Sequence, residues 1–423
     1  VPRLLADLTP LRRSPAYRRM WTGMSLSAMG SNIALVAVSL QVFAITGQSL
    51  YVGILGVFAL VPLVVFGLYG GSIADVHDRR RVALLSAGIM WASSAGMAIQ
   101  AWVGAENLWV LYLLVALNSA GTAVNQPTRS AIVPQLVGTD LLPAANALSM
   151  ITFTMAAMVG PVVGGFLVAS VGYGWTYTLD VLSFAFAWWG LATLPSLTPT
   201  GATGSPGLRS VLEGFAFLAT RPNVRGTFVV DLIAMITAAP RALIPAIAAL
   251  SLGGGEATAG ALLAAIALGS FLAGLFSGPL GAVRRQGLAV LWSVVAWGLC
   301  IGALGLTVLA AGRDRPGSVS VWVVPALLAC TAAGVADSIS SVFRSTMLQS
   351  AAPDHLRGRL SGVFVVVVAG GPRIGDAVAG GTTTVFPEGA VLLLGGILCV
   401  ALTAVMAWTQ PGFRQYDARH PTP

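Results

Sequence analysis

From Tyr51 to Val103 the chain reads YVGILGVFALVPLVVFGLYGGSIADVHDRRRVALLSAGIMWASSAGMAIQAWV. Its first 24 residues carry no charge, Asp75 to Arg81 then hold two acids and three arginines, and a second uncharged run follows from Val82. A helix crossing the hydrocarbon of a bilayer needs about 20 largely apolar residues. The stretch therefore reads as two membrane-crossing helices joined by a tight, charged turn.

The rest of the chain repeats this pattern. Of 423 residues, 56% are apolar and 9% charged, against about 25% charged in soluble domains, which excludes an ordinary water-facing surface. The 50 glycines and 23 prolines lie mostly inside apolar runs, where packed membrane helices tolerate them. Twelve segments qualify as spans: 21–45, 50–74, 82–103, 107–128, 143–171, 175–196, 223–251, 257–281, 287–311, 320–344, 359–384 and 388–410. The first run is long and leads directly into the second, which predicts a retained helix and not a cleaved leader.

All 23 basic residues are arginine, a bias suggesting a GC-rich bacterium and hence its cytoplasmic membrane. With both termini inside, the tails and inner loops hold eighteen arginines and the outer loops hold Arg313 and Arg315. That asymmetry is what the positive-inside rule requires. It explains the net charge of +8 by topology and leaves nothing for a nucleic-acid partner to explain.

Between the sixth and seventh spans, SLTPTGATGSPGLRS from Ser196 is too rich in Pro, Gly, Ser and Thr for a regular helix. The expected organisation is a six-helix bundle over 1–196, a cytoplasmic linker over 197–222 and a second bundle over 223–423. The halves echo one another. QPTRSAIVPQLVGTDLL from Gln126 matches FRSTMLQSAAPDHLRGR from Phe343, with Arg129 and Arg344 215 positions apart. GPVVGG at Gly160 and GPRIGD at Gly371 are 211 apart. Two pairs at nearly the same offset argue for a duplicated unit, as in transporters built from repeats.

In the loop GGSIADVHDRRRV, a carboxylate at a helix end facing an arginine cluster can lock one arrangement and release it in another. The loop, with Gly71, Asp75, Asp78, Arg79, Arg80 and Arg81, resembles the signature G-x-x-x-D-(R/K)-x-G-R-(R/K)-(R/K) of the major facilitator superfamily. Val76 and Asp78 replace its usual basic residue and Gly, as in the enterobactin-exporter and macrolide-efflux branch. In the fifth span, AAMVGPVVGGFL sets small residues at fourfold spacing, Gly160 and Gly164 among them, beside Pro161 and Gly165. Such spacing lets helices approach closely while Pro bends the axis, and it is similar to the antiporter motif of facilitator drug exporters. The resemblance spans both halves. It implies an all-α integral membrane fold of twelve helices in two pseudo-symmetric six-helix bundles, and it favours export.

Two departures matter. The first span carries Ser31 and Asn32 where relatives often have an acid, and LNSAGTAVNQP in the fourth lacks the mid-helix Arg of many drug/proton antiporters. If protons couple transport, their carrier sits elsewhere. Four acids fall within spans: Asp180, Asp231, Asp337 and Asp376. Each needs a partner, a water-filled cavity or a proton. Asp337 and Arg344 are seven apart, Arg373 and Asp376 three apart, so each pair shares a helix face. Asp231 and Arg241 lie about 15 Å apart along one helix, too far to pair directly. These three Asp and three Arg are expected to line or flank a central cavity, as a proton-coupling network or as static ion pairs. Asp180 reads as lying near the outer end of its helix.

Gln41, Asn118 and Asn125 are candidate substrate contacts or helix bridges, and Phe43 and Phe58 candidate cavity aromatics. Trp21, Trp102, Trp109, Trp175, Trp322 and Trp408 fall near span ends, where an interfacial belt explains them. Cys300, Cys330 and Cys399 lack metal-ligand spacing, so no metal is expected. No H-E-x-x-H, G-x-S-x-G or Walker loop is present, so neither catalysis nor a cofactor is expected. The expected function is proton-coupled export of siderophore-like or amphiphilic drug-like molecules by a monomer. The alternatives are uptake or uniport of a small metabolite, or lipid handling on the same fold.

Overall fold

The computed structural model describes residues 7–138, 140–197, 220–312, 319–351 and 357–417. For residues 68–72, 74–76, 282, 349–351, 357–366, 368 and 369 it describes the backbone alone. Eleven long helices account for most of it: α1 (Pro15–Thr46), α2 (Ser49–Val76), α3 (Arg79–Val103), α4 (Leu108–Val137), α5 (Leu142–Ala192), α6 (Pro222–Thr237), α7 (Gly255–Leu275), α8 (Gln286–Ala311), α9 (Val323–Ala351), α10 (Arg357–Thr382) and α11 (Glu388–Thr409).

Helix α5 holds 51 residues, about 77 Å of helix at 1.5 Å per residue. That is more than twice the hydrocarbon thickness of about 30 Å, so it cannot be one crossing. Gly172, at φ 78° and ψ 178°, breaks it in two. A left-handed φ is open to glycine because no Cβ collides with the backbone. Pro161 lies inside the first part, but the non-helical dihedrals are at Gly172. Ten helices among the described residues are long and apolar enough to cross a membrane, α6 with its continuation to Leu252 counted as one; α5 taken as two crossings makes eleven, and α10 stands where hydropathy anticipates the twelfth.

Several ends lie outside the apolar windows. Helix α1 starts at Pro15, and α4 continues through Pro127 and Pro134 to Val137. Backbone hydrogen bonding carries a helix beyond the hydrocarbon, whereas hydropathy stops at its edge. The seventh crossing departs most from expectation. Helix α6 ends at Thr237, Arg241–Leu243 forms a 3-10 turn, Ile244–Ala246 one α turn, and Ile247–Leu252 a wider π stretch. Pro240 and Pro245 each lack the N–H that an unbroken ladder requires.

The chain clusters into two compact units: Val1–Gln41 with Phe58–Gly207, and Val42–Val57 with Leu208–Pro423. In the first, buried Tyr17, Ala83, Ile132, Leu148 and Leu191 form a core, and the Tyr17 hydroxyl donates to the Ala145 carbonyl at 3.1 Å. In the second, Gly298 faces the Gly396 backbone between α8 and α11, and Ser270 of α7 donates to the Gly334 carbonyl of α9 at 3.1 Å. Cys330 and Cys399 are buried and Cys300 half-buried, all as free thiols. Of the six tryptophans expected at an interfacial belt, Trp102, Trp109, Trp175 and Trp408 are exposed, whereas Trp21 and Trp322 are half-buried.

Candidate transport site

The second unit holds the embedded charges. Helix α6 supplies Asp231, and α9 supplies Asp337 at its midpoint and Arg344 two turns further on. Arg344 Nη1 forms an ion pair with Asp231 Oδ1, and its Nη2 lies 3.8 Å from Asp337 Oδ1. Spacing alone pairs Arg344 with Asp337; packing of α9 on α6 gives it a second carboxylate. Asp231 is 3% exposed, whereas the Asp337 side chain keeps 36% of its surface accessible. Of the two carboxylates beside Arg344, Asp337 is thus the more accessible and Asp231 the more enclosed.

Ser293 and Trp297 of α8 and Ser340 of α9 complete the lining of this cleft, which has no room for a water molecule. Asp231 Oδ2, Arg344 Nε, Ser340 Oγ and Trp297 Nε1 are all buried without a hydrogen-bond partner. A buried polar network left half-satisfied is costly. Small shifts of α6, α8 or α9 can exchange its partners.

Next to it lies a second group with the opposite imbalance. Arg241, exposed at the break in the seventh crossing, acts electrostatically on Asp337, Arg373 and Asp376. Asp376 Oδ1 is buried without a hydrogen-bond partner. One group thus has two carboxylates to one guanidinium, and the other two guanidiniums to one carboxylate. The first is suited to holding a proton, the second to meeting an anionic group, since guanidinium binds carboxylate and catecholate-like oxygens well. Helix α10 is held close by small residues that sequence analysis passed over. A Cβ on Gly56 would lie 2.7 Å from the Arg373 carbonyl, and one on Gly53 2.5 Å from that of Asp376.

In the first unit, Gly71 and Asp75 are described by their backbone alone, and the Asp75 side chain lies outside the described residues. Asp78 caps α3, its Oδ1 accepting from Arg80 N at 2.9 Å and from Leu197 N at 3.1 Å while Ser196 Oγ donates to Oδ2 at 2.7 Å. Burial opposes ionisation, but these hydrogen bonds and Arg81 outweigh it and hold the Asp78 carboxyl below its ordinary value. Arg79 donates to the Ala131 carbonyl at 3.1 Å and Arg80 to that of Ala192 at 2.6 Å. Arg81 is exposed. The charged turn is tied to the ends of α4 and α5.

Gly160 and Gly164 meet α1 directly. A Cβ at Gly160 would lie 2.5 Å from Asn32 Cβ, and one at Gly164 3.0 Å from the Ile33 carbonyl; Pro161 and Gly165 are buried beside them. Gln41 and Asn125 bridge helices. Gln41 accepts from the Tyr177 hydroxyl at 2.7 Å. Asn125 donates to Ser86 Oγ at 2.9 Å and accepts from Arg129 at 3.2 Å. Phe58 stacks on Tyr112 with ring centroids 4.8 Å apart. Asn118 and Phe43 are half-buried. Asp180 is not at a helix end. It lies eight residues, about 12 Å, beyond the Gly172 break in a stretch running to Ala192.

A bundle of membrane-crossing helices with arginine and aspartate embedded beside a broken helix fits a transporter of the major facilitator type. The chain matches the family described as Transmembrane secretion effector over residues 5–420, and it belongs to that family. It is 30% identical over 378 residues to the Enterobactin exporter EntS of Shigella boydii serotype 18, covering 89% of this chain and 87% of that protein. The protein of the same name from Escherichia coli O81 matches with the same identity and coverage. Among solved structures, a POT family transporter in complex with 5-aminolevulinic acid superposes with a TM-score of 0.73 at 12% identity, over 95% of this chain and 97% of that one. The nucleoside transporter NupG gives 0.70 at 15%, over 95% and 99%. A bacterial homologue of the iron transporter ferroportin in an inward-facing state gives 0.69 at 14%, over 95% and 98%. These structural likenesses bear on the fold alone.

Proposed function

We propose that this protein is a proton-coupled exporter of siderophore-like or amphiphilic drug-like small molecules. In this reading it is a monomer in the bacterial inner membrane, with both termini cytoplasmic. Residues 1–196 and 223–423 rock about the linker 197–222 to alternate access. The 30% identity to enterobactin exporters along most of the chain carries the export assignment. The unequal charge groups supply a mechanism. Asp337, accessible and next to the Asp231–Arg344 pair, takes and releases the coupling proton. Arg241 and Arg373 meet an anionic or catecholate-like part of the substrate. Gaining a proton at Asp337 removes one claim on Arg344, so protonation and the partner choice of Arg344 are linked.

Efflux from proteoliposomes under an imposed pH gradient tests this reading, with siderophores and cationic drugs as probes on wild type, Asp231→Asn and Asp337→Asn. Gradient-driven transport of at least one probe class by wild type, lost in Asp337→Asn with the protein folded, is the expected outcome. Transport indifferent to both gradient and substitutions would replace export by uniport and leave the charges a structural role.

A further inference from the structure

Asp180 lies in the first unit, outside the network above, and its surroundings differ from those of the other embedded acids. It is 1% exposed. Ser94 of α3 is hydrogen-bonded to its Oδ2 at 2.6 Å, and Ser183, one turn on, lies 3.4 Å from its Oδ1 while donating to its backbone carbonyl at 2.7 Å. On the third side α1 presents Gly30, where an added Cβ would stand 2.6 Å from Asp180 Oδ1. The absence of a side chain there is what gives the carboxyl its place.

The titratable groups facing this pocket are Tyr177 and, beyond it, Tyr173, both on the same helix. Helix α1 contributes Gly30 and, against Tyr177, Gln41; α3 contributes Ser94. Among the described residues no arginine or histidine acts on Asp180. Asp231, Asp337 and Asp376 each have a guanidinium acting on them. A lone carboxylate within a span costs several kcal/mol or more by insertion and simulation scales, and two hydroxyls do not offset a full charge. A carboxyl group fits the same space without that penalty. Ser94 Oγ donates to Oδ2 at 2.6 Å, which leaves Oδ1, 3.4 Å from Ser183 Oγ, to carry the proton.

We propose that Asp180, with Ser94 and Ser183, is a proton-binding site of the first unit, occupied in this conformation and emptied when movement of α1 or α3 admits water. The buried Tyr177–Gln41 hydrogen bond, one turn toward the Gly172 break, extends the polar track from this site along the helix. The inference rests on the proton-coupled reading for the use made of the proton, but not for its binding.

Infrared spectroscopy of the purified protein in lipid nanodiscs reads binding directly. A protonated-carboxyl C=O band that shifts in deuterium oxide is expected at neutral pH in wild type and in Asp231→Asn, and is expected to be missing from Asp180→Asn. In Ser94→Ala, which loses a hydrogen-bond partner of Oδ2, the band is expected to persist at a shifted frequency. This second variant decides the matter if Asp180→Asn does not fold. Superimposable wild-type and Asp180→Asn spectra, or a band unmoved in Ser94→Ala, would overturn the proposal. Failure of proton-coupled export would appear instead as gradient-independent flux by wild type with the band intact.

Discussion

Replacing Arg344 with Gln tests the energetics of the embedded pair. The substitution leaves Asp231, 3% exposed, with no cation, and removes the guanidinium 3.8 Å from Asp337. Breaking a buried pair by deleting one partner costs about 3–5 kcal/mol, because the remaining charge stays desolvated. The Asp337 contact adds little, since at 3.8 Å it is long and the side chain is 36% exposed, and partly exposed pairs contribute about 1 kcal/mol or less. A loss of about 3–5 kcal/mol is therefore expected. Neutralising Asp231 as well, in Arg344→Gln with Asp231→Asn, removes the stranded charge, so the double variant is expected within about 1–2 kcal/mol of wild type. Thermal unfolding of detergent-purified protein, followed by the fluorescence of the tryptophans with Trp297 in the cleft, measures all four corners of the cycle. If the double variant is as unstable as Arg344→Gln, or if Arg344→Gln costs nothing, the pair does not hold α6 to α9 as argued.

Asp78→Ala removes a helix cap and is expected to cost about 1 kcal/mol, with proteolysis near Ser196 accelerated because Ser196 and Leu197 lose their acceptor. The folded-state carboxyl of Asp78 sits below its ordinary value, so its contribution is complete above that value and fades as pH falls through the lowered one; in the alanine variant this acid-side loss disappears from the stability profile. Gly160→Leu forces atoms into a place where even a Cβ would meet Asn32 at 2.5 Å, and overpacking of this kind costs about 1–3 kcal/mol, read as a lower unfolding temperature. Gln41→Leu strands the Tyr177 hydroxyl inside the first unit, an expected loss of about 1–3 kcal/mol with the spectrum of transported substrates unchanged. A changed spectrum would make Gln41 a substrate contact.

Much of the architecture is legible in the chain because the bilayer imposes it. A run such as Tyr51–Ala74 with no charge has few ways to be satisfied other than as a spanning helix. The Gly172 turn between the fifth and sixth crossings was within reach too, from length alone. The close approach of Gly53 and Gly56 to α10 was not, since small residues are abundant in every span of this chain and spacing does not name the partner helix.

The site was legible in composition and not in pairing. Four embedded acids and three embedded arginines stand out against apolar surroundings, and helical periodicity relates Asp337 to Arg344 and Arg373 to Asp376 along their own helices. That Arg344 reaches Asp231, that the broken helix at Pro240 brings Arg241 to Asp376, and that Asp180 sits beside Ser94 and Gly30 were decided by tertiary packing. The sequence by itself determined which groups must be sheltered from lipid, because hydrocarbon solvates neither charge nor free backbone. Only the folded bundle decided what shelters each of them, because partners on different helices are set by how the helices pack, which no periodicity along a single helix encodes.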